Sequence, residues 1–230
     1  MKTNELVFSL LKELKEKNIN AYLIGGSSRD YLLNKEFIDI DICSSSLPSV
    51  NKEAMKEYEL VSNDGLYYGV LKYVIDSKEV EITSLRKEGP YIKNRRPSTV
   101  EFIDDLYIDS LRRDFTINAI YIDSEGNVKD FHNGLEDLKN KVIRMIGDPI
   151  VRINEDALRI LRAIRLSKKI NFDLDDNLKK VILNHIDLVY SLNKNTLRKE
   201  INKFLEDNSL SEVNELLRSY GLEMERLYEY

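Results

Sequence analysis

The sequence predicts an α+β fold: a small mixed sheet with flanking helices in residues 1–140, followed by an all-helical region in residues 141–230. Three features carry that expectation. Short runs rich in β-branched and aromatic residues alternate with turn-like stretches through the first part of the chain. Beyond Asp148-Pro149 the apolar residues take helical spacing, with no strand pattern of comparable strength. No repeat or low-complexity linker separates the two parts, so they are expected to pack together.

Residues 4–17 put Leu6, Leu10, Leu11 and Leu14 on one side of an amphipathic helix. Tyr22-Leu23-Ile24 reads as a short strand that stops at Gly25-Gly26, after which Ser28 to Leu33 has helical spacing and a serine suited to capping. Strand, glycine turn and helix start make a phosphate cradle. Glycine lets backbone amides approach an anion, and the first helical turn offers unpaired donors at the positive end of its dipole. Ser27 and Arg29 add a hydroxyl and a cation. A tight turn needs glycine whatever the protein does, so the pair gains meaning only from the acidic segment beyond it.

That segment is FIDIDI, residues 37–42. Strand alternation turns Ile38, Ile40 and Ile42 toward a core and Asp39 and Asp41 together toward the other face. Two carboxylates on one face form a hard-oxygen site of the kind magnesium takes, its octahedron completed by water and substrate phosphates, and these parts suit nucleotidyl transfer. The same pattern also describes an ordinary polar strand face. GVLKYVI, KEVEITSL and NAIYID are further strand patterns. In the second of these Val80 and Ile82 face the core and Glu81 the opposite side, where it can join the aspartates, although Glu79 shares its face. Lys87 to Pro97, with a glycine, two prolines and many polar residues, reads as a mobile loop.

Two further segments mix charge with apolar residues. In LRRDFTINA, Arg113 and Asp114 either pair structurally or face a ribose. Residues 152–165 predict one helix with Ile153, Ala157, Ile160, Leu161 and Ile164 as its apolar stripe. Arg152, Asp156 and Arg159 form a second stripe, either a surface ion pair worth a few tenths of a kcal/mol, ~0.3, or a donor–acceptor set matching the Watson–Crick edge of a base. Arg162 and Arg165 reach a triphosphate or solvate the helix.

Composition narrows the function classes. The formal net charge of -5 argues against a protein that coats nucleic acid nonspecifically. Arg86, Lys87, Lys93, Arg95 and Arg96 form a local basic cluster, and Asp104, Asp105 and Asp109 an acidic one; both are compatible with plain surface solvation. No apolar run approaches the roughly 18–20 residues of a membrane span, and the N-terminus lacks a signal-peptide pattern, so a cytoplasmic protein without membrane association is expected. The single cysteine, Cys43, excludes an intrachain disulfide and a cysteine-rich zinc site, and with only His132 and His185 a histidine metal centre is not expected either.

In order along the chain, these segments resemble the class II tRNA nucleotidyltransferase and bacterial poly(A) polymerase family, a branch of the pol-β-like nucleotidyltransferases. GGSSRDYLL with FIDIDI resembles the family's GGxxRDxLL and DxD, VEITSLRKEGPY its next strand and loop, and RRDFTINAI its RRDFTINA. KDFHNGLEDLKNKVIRMIGDP resembles the connector between head and neck, and RINEDALRILRAIR the neck helix carrying EDxxR.

The resemblance implies a pol-β-like head and a helical neck that add CMP and AMP to the 3′ end of tRNA from CTP and ATP, by attack of the RNA 3′-hydroxyl on the α-phosphate. It implies Mg2+ held by Asp39 and Asp41, with Glu81 as the third carboxylate. It would place Gly26 and Arg29 near the triphosphate, in the turn whose Gly25 and Ser27 are also read as nucleotide-binding, and Arg113, Asp114 and Asn118 near the ribose and nucleotide. Asp156 and Arg159 would select the base, and Arg162 and Arg165 would contact the nucleotide. The Lys87–Pro97 loop would move during the switch from C to A addition. Poly(A), CC-only and A-only addition share these motifs. Transfer to a small molecule or protein is a second enzymatic reading, and a degenerate regulator that binds RNA or nucleotide is a non-enzymatic one.

Family members continue past this C-terminus with body and tail domains. Here NTLRKEINKFLEDNSLSEVNELLRSYGLE resembles the end of the neck, with Asn195-Thr196-Leu197 in place of Glu-Arg-Ile. Recognition of an acceptor stem alone, a homodimer, a helper protein or a chain that is a fragment of a longer one are the alternatives this leaves open. The serines of GGSSRD also depart from the family pattern, a change expected to leave phosphate binding intact.

Overall fold

The computed structural model describes residues 2–37, 39–92 and 96–228, without the side chains of Ile92, Arg96 and Tyr228. It divides into two compact units, Met1–Gly89 with Thr99–Lys139, and Pro90–Ser98 with Asn140–Tyr230.

The first unit opens with α1 (Thr3–Glu16), β1 (Ala21–Leu23), α2 (Gly25–Leu32), β2 (Ile40–Ser44), α3 (Pro48–Ala54), β3 (Glu59–Ser62), β4 (Val70–Ile75), β5 (Lys78–Ser84) and β6 (Arg86–Glu88). After the short strands β7 (Tyr91–Ile92) and β8 (Arg96–Pro97), which belong to the second unit, it resumes with β9 (Val100–Phe102), α4 (Leu106–Leu111), β10 (Ile120–Ile122), β11 (Val128–Asp130) and α5 (Gly134–Asn140). Seven strands form a mixed sheet in the order β11-β10-β1-β2-β5-β4-β3. Its β2–β5 pair is parallel and its other pairs are antiparallel.

Alternation in β2 and β5 decides which face carries chemistry. Ile40, Ile42, Val80 and Ile82 are each at most 1% exposed and cluster with Leu6, Val7, Leu10, Leu11 and Leu14 of α1. Each such side chain contributes roughly 1.5–3 kcal/mol of burial. A slip of one residue would reverse both strands and bury Asp41 and Glu81, so the apolar pattern fixes the register of the acidic face. Ile38, expected in the same core, lies outside the described residues.

Lys87–Pro97 is not a plain loop. β6 pairs with β9, and β7 with β8, both antiparallel. Cross-strand bonding satisfies a backbone whose glycine and prolines read locally as irregular. Lys93 and Arg95 of the expected basic cluster lie outside the described residues, as does the side chain of Arg96. Arg86 is not a simple surface cation, since it pairs with Glu88 and donates to the Tyr68 carbonyl.

The second unit contains β12 (Val142–Ile143), α6 (Pro149–Glu155), α7 (Leu158–Ile170), β13 (Asp173–Leu174), α8 (Asp176–His185), α9 (Lys194–Leu205), α10 (Leu210–Ser219) and α11 (Met224–Tyr228). Its helix starts follow capping chemistry. Asp148 precedes Pro149 and accepts from the Ile150 amide, Asp175 and Asn193 cap α8 and α9, and Ser209 with Glu212 forms a capping box on α10. The expectation of an all-helical region needs one correction: β12 and β13 form a two-residue parallel pair, too short to leave a strand signature in the sequence.

The helix expected over 152–165 is also interrupted. Asp156 adopts extended backbone angles, φ -144 and ψ 98, and ends α6 before α7 begins. Its carboxylate accepts from the Leu158 amide, the local competition with the helix that makes aspartate a boundary residue. Among the described residues no helix is long and apolar enough to cross a membrane.

Candidate active site

In the first unit the acidic residues gather where β2 runs beside β5. Asp41 stands opposite Glu81 in register. Asp39 lies in the bend just before β2 and is exposed, while Asp41 and Glu81 are half-buried. Burial first, then the neighbouring Glu81 and to a lesser extent Asp39, push the Asp41 carboxyl up to about 6, against the opposing pull of Arg113 and a hydrogen bond from the Gly26 amide. Glu81 also accepts a long hydrogen bond from Thr83 Oγ1, at 3.4 Å.

The glycine turn is built around Asp41. α2 begins at Gly25, so both glycines lie in its first turn, and no side chain caps it. The expected serine cap is therefore absent. Ser27, 2% exposed, instead donates to the Asp39 carbonyl at 2.8 Å and accepts from the Asp41 amide at 2.9 Å, tying the helix start to the acidic segment. Its hydroxyl serves that link rather than adding a donor for an anion. Gly25 has φ +73, and a Cβ there would meet Asp41 Oδ2 at 2.8 Å, so backbone conformation and space both require glycine.

Arg29 is 4% exposed. Its guanidinium grips Asp30 through Nε and Nη2, each at 2.8 Å, and Nη1 donates to Asn118 Oδ1 at 2.9 Å. The residues read as phosphate and nucleotide contacts, Arg29 and Asn118, are thus joined to each other.

Asp109 is the residue that sequence reasoning missed. Its pattern suggests surface charge, yet it is 0% exposed. It takes Arg112 Nη2 at 2.7 Å, Arg113 Nη2 at 2.8 Å, the Tyr121 hydroxyl at 2.9 Å and the Arg86 amide at 3.1 Å. Burial would raise its carboxyl, but Arg113 and Arg112 outweigh this and hold it well below the usual carboxylate range. Arg113, also packed over the Tyr121 ring, therefore has Asp109 as an ion-pair partner, besides any role of Asp114. The usable signal was helical spacing, since Asp109 lies three and four residues before Arg112 and Arg113.

In the second unit, Asp156 is 3% exposed and Arg159 1%, so neither belongs to a surface ion pair. Arg159 lies over the Tyr91 ring, 5.2 Å from its centroid, donates to the Tyr91 hydroxyl at 3.3 Å and reaches Glu155 at 3.1 Å and the Arg152 carbonyl at 2.5 Å. Arg165 pairs with the buried Glu200 at 2.7 Å. Arg162 is half-buried on the same helix.

Among the described residues, no three His, Cys, Asp or Glu side chains come close enough to enclose a metal ion. The acidic face still fits a divalent cation that uses few protein ligands. Its donors are hard oxygens, and after burial the neighbouring Glu81 and Asp39 help push the Asp41 carboxyl upward, a cost that a cation in the row would relieve. Cys43 is a buried strand residue whose thiol burial pushes up to about 12, so it stays protonated.

A mixed sheet bearing a glycine turn against a row of carboxylates defines the class of pol-β-like heads. The profile of the Poly A polymerase head domain matches residues 21–144, and the chain belongs to that family. It is 38% identical over 213 residues to the CCA-adding enzyme of Geobacillus sp. strain WCH70, covering 93% of this chain and 52% of that protein. It is 35% identical over 210 residues to the CCA-adding enzyme of Staphylococcus epidermidis, covering 91% of this chain and 52% of that one. Among solved structures it is similar to the Bacillus stearothermophilus CCA-adding enzyme in complex with CTP, with TM-score 0.79 and 29% identity over 96% of this chain and 53% of that chain. It is also similar to a tRNA nucleotidyltransferase complexed with a primer tRNA and an incoming ATP analogue, with TM-score 0.76 and 31% identity over 97% of this chain and 62% of the other. The chain spans about half the length of the curated relatives it matches.

Proposed function

We propose that this chain carries the nucleotide-adding machinery of a template-independent RNA nucleotidyltransferase that adds CMP and AMP to the 3′ end of tRNA, using CTP and ATP. The observation that carries the reading is the in-register pair of Asp41 and Glu81 beside the obligatory glycine Gly25. CCA-adding enzymes at 35% and 38% identity support it, as do solved relatives holding CTP or a primer tRNA with an ATP analogue.

In this reading Asp39 and Asp41 hold Mg2+, which when bound neutralises phosphate charge and lowers the pKa of an attacking hydroxyl. Glu81 accepts the proton of the tRNA 3′-hydroxyl or completes the donor set. The amides opening α2, at Gly25, Gly26 and Ser27, orient the triphosphate, and Arg29 keeps Asn118 in place beside the nucleotide. Arg113, fixed by Asp109, supplies positive charge near the sugar, with Asp114 alongside. In the second unit, Asp156 and Arg159 supply an acceptor and a planar donor fork for the edge of the base, and Arg162 and Arg165 contact the nucleotide. The substrate puts the reaction in the cytoplasm.

The test is to incubate the chain with tRNA ending at the discriminator base, after one added C and after two, each with CTP or ATP. Two C additions followed by a single A are expected. Long A tracts would move the assignment to poly(A) addition, and label transferred only in the absence of RNA would overturn the tRNA reading.

A further inference from the structure

The geometry points to Lys72 as the residue that sets the divalent-cation affinity of the acidic face, by competing for Glu81. This rests on the proposed role of Asp39, Asp41 and Glu81 in holding a metal. Lys72 on β4 stands opposite Glu81 on β5, which stands opposite Asp41 on β2, so the three side chains form one row across adjacent strands on one face.

The lysine has two anions within reach. Its ammonium lies 3.4 Å from Glu81 Oε2 and 2.6 Å from Glu79 Oε1, and its side chain is 39% exposed. Glu81 belongs to the row. Glu79, two residues back along β5, faces the same side but stands opposite Val74. A cation entering the row meets a like charge already resting on one of its donors. Lys72 then has to release Glu81, and Glu79 is the station it retreats to. Hydration of the half-exposed ammonium lets it move between the two.

Lys72 thereby lowers metal affinity, and Glu79 limits that effect. Titrating the full chain with Mn2+ alone, and measuring free Mn2+ by electron paramagnetic resonance, tests both. Lys72→Met is expected to bind about fivefold more tightly than the parent, and Lys72→Arg within about twofold of it. Glu79→Gln is expected to bind about threefold more weakly, most of that loss disappearing when Lys72→Met is also present, the non-additivity of a shared contact. Circular dichroism confirms folding of each variant, and Lys72→Gln replaces Lys72→Met if the latter does not fold.

Asp41→Asn separates the two levels of inference. If it abolishes binding while Lys72→Met binds no more tightly than the parent, the role of Lys72 is overturned and the site stands. If Asp41→Asn binds like the parent, or the parent takes up no Mn2+ with or without CTP, the site itself is misassigned. A Glu79→Gln loss that persists undiminished beside Lys72→Met overturns the two-station description.

Discussion

Asp41 stands opposite Glu81 in the parallel pairing of β2 and β5, and the same Asp41 carboxylate accepts a hydrogen bond from the Gly26 amide at the start of α2. One side chain therefore meets both halves of the proposed chemistry, the acidic face and the anion cradle. Its raised carboxyl is the cost of that position. Since the folded value of about 6 exceeds the ordinary 3.8, the folded state holds more protons in that window, and stability falls as pH rises through it. Above pH 6 the full penalty, on the order of 3 kcal/mol, is present. In metal-free buffer Asp41→Asn is expected to melt higher than the parent at pH 7.5 and equally below pH 4, and in assays supplied with Mg2+ to lose nucleotide incorporation. A lower melting temperature at pH 7.5 would contradict the assignment of strain to this carboxylate.

Asp109 behaves oppositely. With its carboxyl held well below the ordinary range by Arg113 and Arg112, its stabilisation is complete above pH 4 and fades as the pH falls below that. Asp109→Ala leaves two largely buried guanidinium groups without this anion and is expected to cost about 3–5 kcal/mol at neutral pH. Urea denaturation at pH 7 and pH 3 checks both magnitude and direction. A deficit that did not shrink at pH 3 would mean that lost packing, rather than lost charge, was responsible.

The parts of this molecule legible in the sequence are those with periodic patterns. The apolar face of α1, the alternation of β2 and β5 and the change to helical spacing after Asp148-Pro149 were readable because burial repeats at a fixed interval. Less legible was anything decided by a single polar contact. Ser27 looked like a hydroxyl offered to a phosphate, but it ties α2 to the Asp39–Asp41 backbone. Asp156 looked like an interior helix position, but its bond to the Leu158 amide ends the helix there. Asp109 looked like solvated charge because burial of an ion depends on partners brought to it by folding, of which Tyr121 is twelve residues away. The β6–β9 and β7–β8 pairings were hidden for a related reason: strands of two or three residues carry too little alternation to stand out among prolines and charges.

Gly25 and Gly26 differ although they are adjacent. A methyl group at Gly25 meets Asp41 Oδ2 at 2.8 Å on a backbone of φ +73, whereas at Gly26 the nearest atom is Arg29 Nη2 at an ordinary 3.5 Å. Gly25→Ala is expected to destabilise by about 1–3 kcal/mol and to slow incorporation at least tenfold by displacing Asp41. Gly26→Ala, within a helical turn, should melt at or slightly above the parent temperature. Thermal melts of the pair decide this, and equal losses would show that the turn is not shaped around Asp41.

Arg159 tests the proposed choice of base. It is 1% exposed and already positioned by Tyr91, Glu155 and the Arg152 carbonyl, so its fork is held in a fixed direction and little entropy remains to be lost on meeting a base. Replacing it with lysine keeps the charge but loses the planar donor pair. If Arg159 and Asp156 read the base, Arg159→Lys should lower kcat/KM for CTP and ATP by at least a hundredfold and narrow their advantage over UTP. Arg165→Lys, whose charge faces Glu200, should lower all three together. Steady-state incorporation into tRNA lacking its last nucleotides supplies these ratios. Discrimination among the triphosphates that survives Arg159→Lys and Asp156→Asn unchanged would remove both residues from base selection and leave Arg159 as a structural ion inside the second unit.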